Sequence, residues 1–242
     1  MKDRKVVTAV IGGGPAGLMA AEVLAQGGVP VELYDAMPSF GRKFLIAGRG
    51  GLNLTHSEPY EQFLGRYGSR RFQIEPLLNQ FGPHDLRQWV HELGFETFVG
   101  TSGRVFPNDM KAAPLLRAWL ARLQSAGVTF HLRHRWQGWH KTGALRFTTP
   151  DGEKLVQADA IVLALGGGSW AKLGSDGAWV PHLAERGVTI APLRPANCGF
   201  DVGWSDYFRQ KFAGQPVKSV ILTFTNTMKE TFQRQGEFVI TE

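Results

Sequence analysis

The run Gly12-Gly13-Gly14-Pro15-Ala16-Gly17 constrains this chain more than any other stretch. It follows a β-branched, apolar segment from Val6 to Ile11 and precedes an Ala- and Leu-rich segment from Leu18 to Gln26. The first segment reads as a buried strand, the glycines as a tight turn, and the second segment as a helix. In that context Gly12 permits the turn, Gly14 lets backbone approach a pyrophosphate, and Gly17 lets the helix lie close on the strand. The N–H groups that open the helix are then available to phosphate oxygens. Gly12, Gly14, Pro15, Ala16 and Gly17 are therefore the first candidate binding residues.

A second strand reads from Val29 to Asp35 and ends in an acid 23 residues after Gly12. That spacing is close to the roughly 20 residues that separate the glycine turn from a ribose-binding carboxylate. Asp35 would accept hydrogen bonds from ribose hydroxyls and repel a 2′-phosphate. The motif and the acid specify an adenine dinucleotide without choosing between NAD and FAD.

At 242 residues the chain can hold one large domain, or one domain and part of another. Its 43% hydrophobic content is enough for a real core. The net charge of +6 and the pI near 9.6 fit an anionic cofactor or substrate, and leave nucleic acid open. The basic and aromatic residues from Arg133 to Lys141 are the one local cluster that could stack bases. Their flanking alternation reads instead as sheet with one buried face, so nucleic acid is not an expected partner. Cys198 is the single cysteine, which excludes an internal disulfide and fits a reducing, cytoplasmic setting. Lys2, Arg4 and Lys5 precede an apolar run as in a signal peptide, but glycines break that run and Glu22 interrupts the apolar segment beyond them. No secretory or membrane segment is expected.

Ala36 to Pro59 shows little periodicity and many glycines, and reads as a loop wrapped around a ligand. Arg42, Lys43 and Arg49 would stand beside the phosphates, with Asn53 and Thr55 as polar contacts to a ring system. Pro83 to Gly94 predicts a short helix, and Lys111 to Ala126 an amphipathic one with Leu115, Leu116, Trp119, Leu120 and Leu123 as its stripe. His84 and His91 lie seven apart on the first of these, and with no third ligand a metal site is not expected. Short strands are predicted over 95–99 and 103–106, and a three-stranded meander over 128–136, 144–149 and 154–157. A second buried strand, 160–165, runs into Gly166-Gly167-Gly168-Ser169. A helix over 176–187, a strand over 188–190 and a hairpin formed by 217–225 and 230–241 complete the reading. Pro192 and Pro195 mark the best boundary, giving domains 1–195 and 196–242.

The two glycine-rich strand ends, the loop and the meander resemble flavoproteins with two dinucleotide-binding domains. Gly41-Arg42-Lys43-Phe44-Leu45, the glycine-rich run through Asn53, and Gly103-Arg104-Val105-Phe106-Pro107 narrow this to a resemblance to the BaiN/YhiN-like, or aminoacetone-oxidase-family, FAD-binding proteins. The resemblance implies an α/β, FAD-binding Rossmann-like domain of the glutathione-reductase type with a β-meander, plus the start of an inserted β-rich domain. It implies FAD bound extended. Gly12, Gly14, Pro15, Ala16 and Gly17 would lie at the pyrophosphate, and Asp35 at the ribose. Gly41, Arg42 and Lys43 would lie near the phosphates or ribityl chain, and Asn53 near the flavin. Trp136 would meet the adenine through its backbone, and Ala164, Gly166 and Gly167 would pack by the cofactor. Many members carry a cysteine where this chain has Leu52, so substrate assignments are not carried over. Members also return to the first domain with a C-terminal segment, and by this pattern the present chain is truncated in mid-strand.

The expected activity is that of an FAD-dependent oxidoreductase acting on a small organic substrate, with NAD(P)H as a candidate donor and no membrane partner. The competing readings are an NAD-dependent dehydrogenase and a non-catalytic flavin- or nucleotide-binding protein with nucleic-acid affinity. Ser169 lies outside any Gly-x-Ser-x-Gly elbow, and no Walker-type Gly-Lys-Ser/Thr occurs. No catalytic acid or base can be named; His56 is a weak candidate that reads better as a loop surface residue.

Overall fold

A computed structural model describes residues 7–48, 50–195, 199 and 201–240. Val6, Arg49 and Cys198 lie outside the described residues, as do Lys2, Arg4 and Lys5. The chain divides into two compact units, Met1–Arg194 and Pro195–Glu242.

In the first unit, β1 (Thr8–Ile11) is buried at every residue and leads through the glycine turn into α1 (Pro15–Gln26) and then β2 (Val31–Tyr34). The predicted loop is not structureless. It contains α2 (Arg42–Ala47) and the two-residue strand β3 (Thr55–His56). α3 (Tyr60–Gly65), α4 (Arg71–Leu78) and α5 (Pro83–Glu92) follow, the first two in a stretch where the sequence pattern predicted nothing. β4 (Thr97–Val99) and β5 (Arg104–Pro107) pair with β3 in a small antiparallel sheet ordered β3-β5-β4. α6 (Ala112–Ser125) buries Leu115, Leu116, Trp119 and Leu123, four of the five residues of the predicted stripe.

The predicted first meander strand is two strands in different sheets. β6 (Thr129–His131) pairs parallel with β2, while β7 (Arg135–Trp139) opens the antiparallel sheet with β8 (Leu145–Thr149) and β9 (Gly152–Val156). Arg133 lies between them at φ 57°, a left-handed conformation that ends one strand and re-aims the chain. β10 (Ala160–Leu163) then returns beside β1, giving a wholly parallel sheet ordered β10-β1-β2-β6. The predicted 176–187 helix is only α7 (Val180–Ala184). Asp176 accepts the Ala178 N–H at 3.1 Å and Gly177 stands at φ 70°, so the chain turns before it can coil. Residues 188–190 form no strand; the Val188 N–H closes back on the Leu183 carbonyl at 3.2 Å.

The core lies where α1, α5 and α6 cover one face of the parallel sheet, around Leu18, Leu33, Val90, Leu115 and Leu123. On the other face Ala9, Ile11 and Tyr34 meet Trp136, Leu145 and Phe147 of the antiparallel sheet. That arrangement leaves the C-terminal ends of β1, β2 and β10 open, and in α/β sheets this is where ligands bind.

The second unit holds α8 (Asp206–Phe212) and an antiparallel hairpin of β11 (Pro216–Thr225) and β12 (Thr231–Val239). Ile221, Leu222, Phe224 and Phe232 of the hairpin are exposed.

Candidate cofactor site

The three strand ends converge through short backbone links. The Gly12 N–H donates to the Tyr34 carbonyl at 2.8 Å, and the Ala164 N–H donates to the Ile11 carbonyl at 2.8 Å. Gly12 stands at φ 111°, and a Cβ there would fall 2.2 Å from the Ala164 carbonyl oxygen. A Cβ on Gly17 would fall 1.8 Å from the Gly12 carbonyl oxygen. Both glycines are thus required by packing. Gly14 is different: its backbone is extended, and a Cβ there would meet nothing within 4 Å. It is small toward open space, which is the shape of a cradle for something close to the backbone. No side chain caps α1 at Gly14, so its first N–H groups face that space.

The Asp35 carboxylate closes one side. It accepts the Gly13 N–H at 2.6 Å and the Met37 N–H at 2.7 Å, using both oxygens. Burial raises its pKa, against the pull of those two N–H groups and of Arg135 and Arg42. Each oxygen keeps acceptor capacity for a further hydroxyl donor.

Gly41 closes the other side. Its N–H donates to the Gly13 carbonyl at 2.9 Å, and at φ 63° it lies where a Cβ would strike Leu116 at 2.7 Å. This single link swings α2 over the glycine turn. Arg42 then lines the cleft with a buried Nε that has no hydrogen-bond partner. Lys43 reaches across it, donating from Nζ to Ser169 Oγ at 2.7 Å and to Ser175 Oγ at 3.4 Å. The strand-like contacts of Leu54 with Val105, at 2.8 Å, and of Leu52 with Met110, at 2.9 Å, hold the later part of the loop. The motif 103–107 is therefore a prop for this loop and does not itself line the cleft.

The result is a cavity of about 1000 Å³. Gly12, Gly14, Pro15, Ala16, Asp35 and Gly41 line it, as do Arg42, Lys43, Asn53, Ala164 and Gly166. Gly17 and Gly167 do not: Gly17 is buried between helix and strand, and Gly167 offers its carbonyl to the Gly177 N–H at 3.2 Å. Trp136 lines a smaller cavity of about 80 Å³, which shares Gly12, Asp35, Leu165 and Trp179 with the large one. Thr55 is taken into β3, and His56 spends both ring nitrogens, on the Ser102 carbonyl at 2.9 Å and the Glu58 N–H at 3.1 Å. Neither lines the cavity.

The aromatic part of the basic and aromatic cluster turns inward, while Arg133 and Lys141 at its ends are exposed. Trp136 is buried, Trp139 lies against it at 4.8 Å between ring centroids, and Arg186 covers Trp139. Arg135 pairs with Asp176 at 2.8 Å.

The residue that sequence reasoning missed is Glu22. It is 3% exposed and accepts from Trp119 Nε1 at 2.6 Å, Trp89 Nε1 at 3.2 Å, Arg122 Nη1 at 3.0 Å and Gln26 Nε2 at 3.3 Å. Both tryptophans line the cavity. The available signal was Glu22 itself, the one charge in an otherwise Ala- and Leu-rich helix.

Residues 6–232 match the model of the HI0933-like protein Rossmann domain. The chain belongs to the HI0933-like family. This is the flavoprotein group that the loop motifs resemble, and the domain is an FAD-binding Rossmann domain. Gly14, open to the cavity, and the unpartnered Arg42 Nε fit a pyrophosphate, as the Asp35 carboxylate fits a ribose. A curated relative, the 3-dehydro-bile acid delta(4,6)-reductase of Clostridium scindens, is 28% identical over 189 residues, covering 77% of this chain and 45% of that protein. The ribosomal RNA dihydrouridine synthase of Escherichia coli is 28% identical over 225 residues, covering 90% of this chain and 54% of that protein. The HI0933-like chain thus spans about half the length of the curated relatives it matches. Among solved structures, the 3-ketosteroid-delta4-(5alpha)-dehydrogenase of Rhodococcus jostii aligns at 16% identity and a TM-score of 0.49, covering 69% of this chain and 47% of that one. Among the described residues, no helix is long and apolar enough to cross a membrane.

Proposed function

We propose that this chain is the cofactor-holding part of an FAD-dependent oxidoreductase that reduces an electron-poor C=C bond in a small organic substrate, with NAD(P)H as electron donor. The observation that carries the reading is the pairing of an open glycine, Gly14, with an unpartnered buried donor, Arg42 Nε, in one cavity. A buried donor without a partner costs about 1–3 kcal/mol, and an anionic oxygen would relieve it. The C=C part rests on the named relatives, one a delta(4,6)-reductase and the other a dihydrouridine synthase. Both names describe hydrogen added across a ring double bond.

In this reading FAD supplies hydride transfer once it is reduced. The chain's own residues bind and orient. The Ala16 N–H at the start of α1 and the Arg42 guanidinium would hold the pyrophosphate, and Gly17 lets the helix sit close against the strand behind it. Asp35 would take ribose hydroxyls while its bonds to Gly13 and Met37 keep the carboxylate in place. Lys43, fixed by Ser169 and Ser175, ties α2 to the loop after β10 and would set a positive charge beside the ribityl chain. Asn53 would stand beside the flavin, Ala164 and Gly166 would line the cofactor's path with Gly167 holding the turn behind them, and Trp136 would meet the adenine from the adjoining cavity.

The test is an absorbance spectrum of the purified full-length protein and chromatography of the released cofactor. Bound FAD, and bleaching of its colour by NADH or NADPH without air, are expected. Protein that is colourless and takes up no added FAD refutes the reading. A uridine base in RNA is a second substrate reading, favoured by the dihydrouridine synthase relatives and the +6 charge. It predicts RNA binding that weakens steeply with salt.

A further inference from the structure

The loop after β10 spends its backbone hydrogen bonds on itself. The Trp170 N–H donates to the Ser175 carbonyl at 2.9 Å, and the Ser175 N–H donates back to the Trp170 carbonyl at 3.1 Å. The Leu173 and Gly174 N–H groups close a turn on the Trp170 and Ala171 carbonyls, at 3.0 Å each. The Gly177 N–H reaches the Gly167 carbonyl at 3.2 Å and draws the two ends of the loop together. Among the described residues, the one backbone hydrogen bond that leaves residues 166–177 comes from the Val180 N–H, onto the Gly177 carbonyl at 3.1 Å. Ser175 is the one buried residue of the loop. A segment with little buried apolar surface and bonds closed on itself can open locally at small cost.

Yet this loop borders the cofactor site. Gly166, Leu173, Gly174 and Ser175 line the large cavity, and Gly174 and Asp176 line the small one. Leu165 before it and Trp179 after it pack into the second core, so the flanks are fixed. Gly166 and Gly177 stand between those anchors and the loop, both at φ 70°, a left-handed conformation that suits glycine. Such residues are hinge positions. Among the described residues, two side-chain ties hold the loop down. Lys43 of α2 donates to Ser169 and Ser175, and Arg135 of β7 donates to Asp176 at 2.8 Å. Lys43 is exposed and Arg135 is 41% exposed, so water competes for both cations.

On the FAD reading above, on which this rests, we infer that residues 166–177 are a hinged strap that closes the cofactor cavity, with Lys43 and the Arg135–Asp176 pair as its latches. Closed, the strap keeps water from the cavity beside Ser175. Opened at its glycines, it lets the cofactor in and out.

The experiment reads opening and release separately, on the full-length protein carrying Cys198→Ser. Ser175→Cys puts a thiol at the buried position, and its alkylation by iodoacetamide in the FAD-free protein reports opening. Arg135→Gln and Asp176→Asn each break one side of the same latch. They change the local charge in opposite directions, so a thiol that follows charge alone splits them. A thiol uncovered by the strap reacts faster in both. Alkylation faster by about threefold or more in each, with no further gain in the double variant, is expected on the scale of a half-exposed ion pair. With Ser175 retained, FAD release in stopped flow is expected to quicken by the same factor in each. If one of the two does not fold, Lys43→Met replaces it in the alkylation assay, and a faster rate is again expected. Alkylation that is unchanged, or that rises in one variant and falls in the other, overturns the inference. Faster alkylation without faster FAD release overturns it too. Protein that binds no FAD fails the earlier reading, and alkylation of that protein still decides whether the strap opens.

Discussion

Replacing Glu22 by alanine tests how the first unit is held together. Glu22 is the acceptor for donors from three elements: Trp89 of α5, Trp119 and Arg122 of α6, and Gln26 of its own helix. Its loss leaves two buried indole N–H groups unpaired, at about 1–3 kcal/mol each. Arg122 keeps a quarter of its side chain exposed and can turn to water, so its share is small. Gln26 lies at the helix end and adds little. The expected destabilisation is about 3–5 kcal/mol, the range found when one partner of a buried pair is removed. Against a typical total of about 5–15 kcal/mol this is a large fraction.

The assay is urea unfolding followed by circular dichroism. With a slope of about 1–3 kcal/mol per molar urea, the midpoint is expected to fall by roughly 1–5 M. A double-mutant cycle with Trp119→Phe isolates the shortest bond, because phenylalanine removes the donor and keeps an aromatic ring. A coupling of about 1–2 kcal/mol is expected, within the range for contacting residues. A Glu22→Ala loss below about 1 kcal/mol, or strict additivity with Trp119→Phe, refutes the reasoning.

The glycines of the turn separate packing from binding. Gly14→Ala is expected to leave stability within about 0.5 kcal/mol of wild type and to weaken FAD at least tenfold, because its Cβ enters only the cavity. Gly12→Ala is expected to lose stability and FAD together, by about 1–3 kcal/mol from the left-handed strain alone, since its Cβ also overlaps the Ala164 carbonyl. Titrating FAD into both variants at matched urea midpoints checks the contrast. His131 supplies a pH dependence. Burial lowers its pKa below the ordinary 6.5, against the attraction of Glu32. The unfolded chain then binds the extra proton first, so stability is expected to fall as pH drops below about 6.5. His131→Phe should flatten that part of the urea-midpoint profile. Lys43→Met cuts the tie to Ser169 and Ser175, both lost at an exposed ammonium. Faster FAD release, by at least tenfold in stopped flow, with an unchanged urea midpoint, is expected.

What the sequence made legible is what local pattern decides. The β1–turn–α1 unit, the acid after β2 and the apolar stripe of α6 are all set by neighbours within a few residues. α2 was hidden because it is only six residues long, with no buried residue, and owes its place to the distant Gly13 carbonyl and to Leu116 beneath Gly41. The split of the predicted 128–136 strand was hidden for another reason. Arg133 takes a left-handed φ that nothing in a non-glycine residue announces. Of the candidate site, the residues at strand ends were readable because the motif itself is local. Trp119 was readable only as core and Trp89 not at all, since their bonds to Glu22 cross 97 and 67 residues.

α1 joins these parts, and that makes FAD a probe of the buried tryptophan pair. Its first turn faces the phosphate cradle, Gly17 presses on the Gly12 carbonyl, and Glu22 holds α5 and α6. A ligand that binds only the folded state raises stability by RT ln(1 + [L]/Kd), about 2.7 kcal/mol at a hundredfold excess over Kd. If Glu22→Ala leaves α1 in place, FAD adds the same increment to variant and wild type, and the loss stays at about 3–5 kcal/mol with and without FAD. If the tryptophan pair and the cradle move together through α1, the increment shrinks in the variant by an amount that equals the fall in its FAD affinity. Measuring both quantities on the same protein closes the cycle. An increment and an FAD affinity that both stay at the wild-type value would mean that α1 does not carry the connection.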